Sequence, residues 1–174
     1  MIKVLDDFFQ KKDLEHFQYF AKNSAFYTPC YFDDAPEKSE KYYYGSRFYL
    51  NNEPKLLEMF KKQSELKFKI KIKKINLNSG IDIRNYDYFK PHIDLPSPQS
   101  INILLMLSGP TALTNGTVFY YGDETKCDLD MHVGFRENRA ILFPSNKVHS
   151  QHAIKVPNLK RYTSTLFVEN YEEV

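Results

Sequence analysis

The sequence is poor in the residues on which several classes of small protein depend. Its 174 residues include no Trp, two Cys and six Gly. Cys30 and Cys127 lie far apart in the chain, so they form neither a disulfide framework nor a paired-cysteine metal site. The glycine loops that bind phosphates and the glycine-flanked serine of hydrolases are also missing. Nothing in the sequence therefore indicates nucleotide-dependent or serine-hydrolase chemistry.

The sequence also lacks a large excess of positive or negative charge. The 24 Lys and Arg residues are balanced by 22 Asp and Glu residues, which leaves a formal net charge of +2. Only five of the basic residues are Arg, the residue best suited to bidentate recognition of phosphates and bases. A strong electrostatic field for nucleic acid is therefore excluded, and we expect no nucleic-acid partner.

Long apolar runs are absent as well. The longest uninterrupted apolar stretch covers residues 103–107, far short of the roughly 18 residues that a membrane-spanning helix needs. The first residues contain Asp6 and Asp7, where a secretory signal would need an apolar run. From these observations we expect a cytoplasmic protein with no membrane partner.

The patterning predicts one domain over residues 1–174, with helical and mixed support over 1–65 and a β core over 66–170. Acidic residues from Asp13 onward indicate the first turn of a helix, and Pro54 suits the first turn of a second helix. Between these helices, residues 27–50 are rich in Tyr and are predicted to be irregular.

From Leu66 the apolar period changes from 3.6 to 2, because Leu66, Phe68, Ile70 and Ile72 alternate with lysines. The alternation slips at Lys73, which indicates a bulge. Further strands are predicted at 81–89, 101–108, 117–121, 131–135, 139–143, 152–156 and 161–168. About eight strands behind two helices predict a mainly β (α+β) fold, a sandwich or small barrel of jelly-roll type.

Histidines and one carboxylate form the most informative set of residues. His92-Ile93-Asp94 follows a predicted strand, and His149 and His152 lie near the end of the strand series. Two imidazoles and one carboxylate on one face of a metal leave the opposite positions open, as in non-haem iron sites. His-x-Asp alone is weak evidence, because a loop His bonded to a neighbouring Asp is common.

Arg161 is the one Arg that the pattern places beside these histidines. Strand alternation puts Arg161, Thr163 and Thr165 on one face, and a hairpin would fold this strand back on residues 152–156. A buried Arg needs an anionic partner, and no acid lies close to it in sequence. The carboxylate of a ligand is therefore a natural partner for Arg161, with the Thr163 hydroxyl beside it.

Taken together, these residues resemble the 2-oxoglutarate and Fe(II)-dependent oxygenases of the double-stranded β-helix (jelly-roll, cupin-like) fold, in particular the compact prolyl-hydroxylase-like branch. The resemblance covers residues 81–168. It is carried by His92-Ile93-Asp94 after a strand, by the turn at Asn115-Gly116-Thr117, and by an ending in which Arg161-Tyr162-Thr163 follows His152.

The resemblance implies that Fe(II) is bound by His92, Asp94 and a distal His. We prefer His152 as the distal ligand, because it lies nine residues before Arg161, and His149 is the alternative. It also implies that the far carboxylate of 2-oxoglutarate pairs with Arg161 and Thr163. Tyr86 and Tyr88, on the incoming strand, are candidates for a hydrogen bond to the cosubstrate; as core aromatics they would instead be structural.

The resemblance implies a dioxygenase that hydroxylates an unidentified substrate, a protein prolyl residue or a small molecule, with release of succinate and CO2. The alternative is a non-catalytic cupin-like module that binds a structural metal or assembles with another protein. In either case, no separate substrate-binding domain is expected. Recognition would then depend on loops such as residues 96–100 and the Tyr-rich residues 27–50.

Overall fold

The computed structural model describes residues 1–31, 43–84, 90–111, 115–152 and 160–174. Their secondary structure consists of two helices and eleven strands. The helices are α1 (Lys11–Asn23) and α2 (Pro54–Phe68), with a 3-10 turn (Leu50–Asn52) between them. The strands are β1 (Lys3–Leu5), β2 (Thr28–Tyr31), β3 (Tyr43–Tyr49), β4 (Ile70–Ile75), β5 (Gly80–Arg84), β6 (Ile101–Ser108), β7 (Gly116–Gly122), β8 (Cys127–Gly134), β9 (Arg139–Pro144), β10 (His149–His152) and β11 (Arg161–Glu173).

The strands form two antiparallel sheets. The large sheet has the order β1-β9-β6-β11-β5-β3-β2, and β4 pairs with the far end of β11. The small sheet has three strands in the order β10-β7-β8. This layered, mainly β architecture with two helices confirms the predicted fold class.

Alternation along the central strands gives the large sheet two apolar faces. Ile103, Leu105 and Leu107 of β6 pack into one core with the helices, and that core contains a cluster of edge-to-face phenylalanines around Phe8 and Phe60. The intervening Met106 packs into a second core, which also contains Phe119 of the small sheet. The helices thus cover one face of the large sheet, and the small sheet covers the other.

The prediction of a strand from Leu66 onward is wrong at its start. Leu66 and Phe68 belong to α2, which ends where Lys69 adopts a left-handed conformation with φ of 56°. Ile70 and Ile72 are buried in β4, as the alternation predicted. The register shift that follows, where β4 pairs with β11 near Lys74, confirms the predicted bulge.

The N-terminal third contributes more to the sheet than the sequence indicated. Within residues 27–50, predicted as irregular, β2 and β3 extend one edge of the large sheet beyond β5. At the other edge, β1 pairs with β9. No helix among the described residues is long and apolar enough to cross a membrane.

Candidate functional site

Two histidines and one aspartate come together between the two sheets. His92 and Asp94 lie in the segment that enters β6, and His149 is the first residue of β10. A backbone bridge joins His92 to His149, with N–H···O distances of 2.9 and 3.0 Å. One ligand atom from each of His92, Asp94 and His149 lies within 4.8 Å of the others. Three converging donors of these types can hold a divalent transition metal.

Both imidazoles are oriented by the main chain. Nδ1 of His92 lies 3.0 Å from the carbonyl oxygen of Lys90, and Nδ1 of His149 lies 2.9 Å from that of Lys147. Since a carbonyl can only accept a hydrogen bond, each Nδ1 carries a hydrogen, and each Nε2 faces Asp94. Metal-binding histidines are commonly fixed by this type of hydrogen bond.

The structure places His149, the alternative distal ligand, beside His92 and Asp94, whereas the preferred His152 is not part of this group. Strand β10 pairs with β7, and His149 and Gln151 line the pocket between the sheets. Side chains alternate along a strand, so His152 falls on the opposite face, where its Nε2 lies 3.4 Å from the hydroxyl of Tyr120. Of the predicted strand over residues 152–156, only His152 lies within the described residues, and it ends β10 in the small sheet, whereas β11 belongs to the large sheet.

Burial and neighbouring charges shift the pKa values of His92, His149 and Asp94 in different directions. Burial lowers the pKa of His92 to about 4, and the nearby His149 adds to the effect. Burial would also lower the pKa of His149, but the charge of Asp94 and its hydrogen bond raise it. For Asp94, burial opposes ionisation, yet the interactions with His149 hold its pKa at about 2. The carboxylate is therefore ionised at neutral pH, as metal binding requires.

Asp94 is held by a buried polar pair. Asn102 of β6 donates a hydrogen bond from Nδ2 to Oδ2 of Asp94, and the Ser145 hydroxyl donates to Oδ1 of Asn102 over 2.6 Å. The backbone N–H of Asp94 donates to the carbonyl oxygen of Ser145 over 3.0 Å. Asn102 and Ser145 are fully buried. The carboxylate is thus fixed through both its side chain and its main chain.

Arg161 lies in the same pocket, on the large sheet. Arg161, Thr163 and Thr165 are buried and line the pocket together, as the alternation of β11 predicted. Arg161 donates a weak hydrogen bond to the carbonyl oxygen of His152 over 3.3 Å. Among the described residues, its buried Nε has no hydrogen-bond partner. Burial and the neighbouring Arg84 lower the pKa of Arg161 to about 9, against the opposing effect of the charge of Asp82.

A second group of charged residues in the pocket was not predicted. Arg47 of β3 and Asp82 of β5 are cross-strand partners, joined by bonds of 2.8 and 3.1 Å from Nε and Nη2 to the carboxylate. Arg84 lies 3.5 Å from the same carboxylate. Asp82 and Arg84 alternate with buried Ile81 and Ile83, and this alternation could have indicated their inward face. Three of the five arginines thus line one pocket.

Two predicted site residues lie outside the described residues. Tyr86 and Tyr88 fall within 85–89, so their predicted contact with a cosubstrate has no structural counterpart here. Arg136 and Arg139 lie outside the pocket, where both pair with Asp6, at 2.8 and 2.6 Å.

Comparison with solved structures identifies this architecture. The non-haem 2-oxoglutarate-dependent epimerase SnoN of nogalamycin biosynthesis matches with a TM-score of 0.66 and 10% identity, over 99% of this chain and 78% of that one. HygX of Streptomyces hygroscopicus, bound to nickel, 2-oxoglutarate and hygromycin B, matches with a TM-score of 0.64 and 10% identity, over 99% and 83%. A prolyl hydroxylase of Trichoplax adhaerens, in complex with a peptide, matches with a TM-score of 0.59 and 12% identity, over 96% and 82%.

These matches define a class of fold. The chain has the double-stranded β-helix fold shared by these 2-oxoglutarate-dependent oxygenase structures. No protein-family model matches the sequence, and no curated protein matches it. At such low identity the likeness extends to the fold alone, so the chemistry must be argued from the residues of the site.

Proposed function

We propose that the protein is an Fe(II)- and 2-oxoglutarate-dependent dioxygenase. The observation that carries the proposal is the convergence of His92, Asp94 and His149 opposite a buried Arg in one pocket of this fold. In the proposal, these three residues hold the iron. Three protein ligands leave positions open for a cosubstrate, whereas a structural zinc site is closed by four.

The wall of the pocket also fits 2-oxoglutarate, the cosubstrate that the proposal requires. Arg161 is buried, its Nε is without a hydrogen-bond partner among the described residues, and burial together with the neighbouring Arg84 lowers its pKa. A carboxylate placed there would restore the charge balance and accept the unsatisfied hydrogen bond. We assign this role to the far carboxylate of 2-oxoglutarate, with the hydroxyl of Thr163 beside it.

With O2 as the oxidant, iron and 2-oxoglutarate would supply decarboxylation of the cosubstrate to succinate and CO2 coupled to hydroxylation of a substrate C–H bond, one oxygen atom of O2 entering succinate and the other the substrate. The residues of the protein would bind the iron and the cosubstrate and orient them. His92, Asp94 and His149 set the ligand geometry, and Arg161 fixes the cosubstrate at its far end. Apolar walls such as Phe143 and Leu104 limit the access of water to the pocket.

We propose that the substrate is a small molecule or a peptide segment. Solved structures with this fold hold both kinds of ligand, an antibiotic in HygX and a peptide in the prolyl hydroxylase. Gln151 and Thr117 of the small sheet, with Arg47 and Arg84 of the large sheet, line the pocket and supply polar groups for recognition.

Anaerobic addition of Fe(II) and 2-oxoglutarate tests the proposal. We expect a visible metal-to-ligand charge-transfer band and, in air, formation of succinate. Arg161→Ala should weaken the band by raising the 2-oxoglutarate concentration needed for half-saturation, and Arg136→Ala, at the surface, should leave it unchanged. If neither the band nor succinate forms with intact protein, a non-catalytic cupin-like module is the better description, and tightly held zinc would support it.

A further inference from the structure

Asn102 is an unusual residue for its position. It lies near the start of β6, whose neighbouring residues Ile101 and Ile103 are buried and apolar, and it is itself fully buried. A buried amide needs partners for both its donor and its acceptor groups. Asn102 has them, because its Nδ2 donates to Oδ2 of Asp94 and its Oδ1 accepts from the hydroxyl of Ser145.

The orientation of this amide has one consistent solution. If the amide were reversed, Oδ1 would face the carboxylate of Asp94, and two acceptors would oppose each other. Ser145 reinforces the observed orientation, because its O–H donates to Oδ1 of Asn102 over 2.6 Å. The position of Ser145 is fixed in turn by its N–H, which donates to the carbonyl oxygen of Ser100 over 3.0 Å. The chain Ser145–Asn102–Asp94 therefore has a defined direction.

The two carboxylate oxygens of Asp94 are not equivalent. Oδ2 accepts from Asn102 and lies 3.2 Å from Nε2 of His149, whereas Oδ1 lies 3.7 Å from Nε2 of His92. A carboxylate that binds a metal through both oxygens occupies two coordination positions. A hydrogen bond donated to Oδ2 uses one of its lone pairs and makes it a weaker ligand, so it favours binding through Oδ1 alone, in a single position.

We propose that Asn102, oriented by Ser145, is a positioning residue that limits Asp94 to one metal-bound oxygen, Oδ1. This inference rests on the proposed metal site. Its consequence is that one more coordination position stays available for the cosubstrate than with two-oxygen binding. Removal of a hydrogen bond to a metal-binding carboxylate typically lowers the metal affinity by about 10- to 100-fold.

The test measures metal binding by the purified apo protein, without cosubstrate or turnover. Mn(II) affinity is determined from the free-ion signal in electron paramagnetic resonance, and Co(II) absorption reports the coordination number. Asn102→Leu fills the volume without the amide, and Asn102→Ala removes it. We expect both to raise the dissociation constant for Mn(II) by about 10- to 100-fold and to change the Co(II) spectrum.

Two further variants separate positioning from a structural role. Ser145→Ala should raise the same dissociation constant by a smaller factor, because the amide of Asn102 remains but loses its orienting partner. The matched control is Asn138→Gly, since Asn138 is also buried, makes two side-chain hydrogen bonds (to N and O of Phe9, at 2.8 and 2.9 Å) and has a left-handed φ of 63° that Gly adopts readily. It should lower the unfolding temperature and leave Mn(II) affinity unchanged.

The inference is overturned if folded Asn102→Leu and Ser145→Ala bind Mn(II) as tightly as the wild type and give its Co(II) spectrum. This failure is distinct from failure of the proposed function. Wild-type protein that binds Mn(II) but gives no charge-transfer band with Fe(II) and 2-oxoglutarate overturns the proposed function and leaves the inference intact. Wild-type protein that binds no metal overturns both.

Discussion

His149 and His152 lie three positions apart on one short strand, and this odd spacing places their side chains on opposite faces. His149 faces Asp94 in the pocket, and His152 faces Tyr120 on the other side of the small sheet. We expect His149→Ala to weaken Mn(II) binding by more than about 100-fold, because one of three protein ligands is lost. His152→Ala should bind Mn(II) as the wild type does. Isothermal titration calorimetry measures both, and the reverse order would restore the sequence-based preference.

Asp82 neutralises charge inside the pocket. Its carboxylate is buried and receives two bonds from Arg47, and the charges of Arg47 and Arg84 lower its pKa against the opposing effect of burial. Asp82→Asn keeps the shape but removes the buried negative charge with which Arg47 and Arg84 interact. We expect it to lower the free energy of unfolding by about 3–5 kcal/mol, measured by urea denaturation.

The matched control for Asp82→Asn is an ion pair at the surface. Lys11 and Glu15 lie 3.8 Å apart on α1 with both side chains exposed. Glu15→Gln should change the free energy of unfolding by less than about 0.5 kcal/mol. Equal effects of the two substitutions would show that Asp82 contributes no more than a surface pair.

At the scale of single elements, β1 is attached to the sheet edge by both backbone pairing and charge. Asp6 follows β1 and receives hydrogen bonds from Arg139 at 2.6 and 2.9 Å and from Arg136 at 2.8 Å. These bonds, above all that from Arg139, lower the pKa of Asp6. A lowered pKa in the folded state means that this contribution to stability is present above the ordinary pKa of Asp. It is lost as pH falls through the lowered value.

Asp6→Asn should therefore lower the free energy of unfolding by about 1 kcal/mol at neutral pH. The difference from the wild type should shrink as the pH is lowered below the folded-state pKa, because the wild-type carboxylate is then protonated as well. Urea denaturation at neutral pH and at several acidic pH values measures it. A difference that grows toward acid pH would contradict the assigned charge interaction.

The junction between α2 and β4 carries local strain. Lys69 ends the helix with φ of 56°, a conformation that costs about 1 kcal/mol for a residue with a Cβ. Lys69→Gly should raise the free energy of unfolding by about 0.5–1 kcal/mol. Lys71→Gly, two residues later in β4, should lower it, because Gly weakens a strand. The midpoints of urea denaturation compare the two, and destabilisation by both would contradict the assignment.

The extent to which the sequence predicts each element depends on whether local pattern or long-range pairing decides it. Apolar runs bounded by turn residues predicted β6 and β9, and alternation predicted the inward face of β11. At Leu66 the same kind of alternation was misleading, because apolar residues at 66, 68, 70 and 72 also fit the end of a helix followed by a strand. The left-handed Lys69 that separates the two has no signal in a sequence of alternating lysines.

The residues of the candidate site also fall into those that local pattern predicts and those that only long-range pairing brings together. His92, Asp94, Arg161 and Thr163 were found from local pattern, and the structure places all four in one pocket. The choice between His149 and His152 required the register of β10 against β7, which joins residues about 30 positions apart. Arg47 and Asp82 meet only through the pairing of β3 with β5. No local pattern contains such pairings.

At the scale of the whole molecule, the site joins the two sheets. His149 comes from the small sheet and Arg161 from the large one, so a bound metal and 2-oxoglutarate would link both layers. Ligand at about 100 times its dissociation constant stabilises a folded protein by about 2.7 kcal/mol. For a chain of this size, that corresponds to a rise in unfolding temperature of roughly 5–10 °C.

We therefore expect Mn(II) with 2-oxoglutarate to raise the unfolding temperature of the wild type by this amount in differential scanning fluorimetry. His149→Ala should show no such rise, and His152→Ala should show the wild-type rise. A similar rise in all three proteins would place the bound ligands elsewhere on the molecule.

The hydrogen bonds from Nδ1 of His92 and His149 to the carbonyl oxygens of Lys90 and Lys147 have a consequence for how the proposed site would take up a metal. Both rings already have their tautomer and orientation without an ion, so little conformational entropy would be lost on binding. Small zinc domains fold only when their metal binds, whereas we expect this site to take up its metal after the chain has folded. A chelator should then strip the metal reversibly from an intact protein, and the same molecule could be reloaded many times.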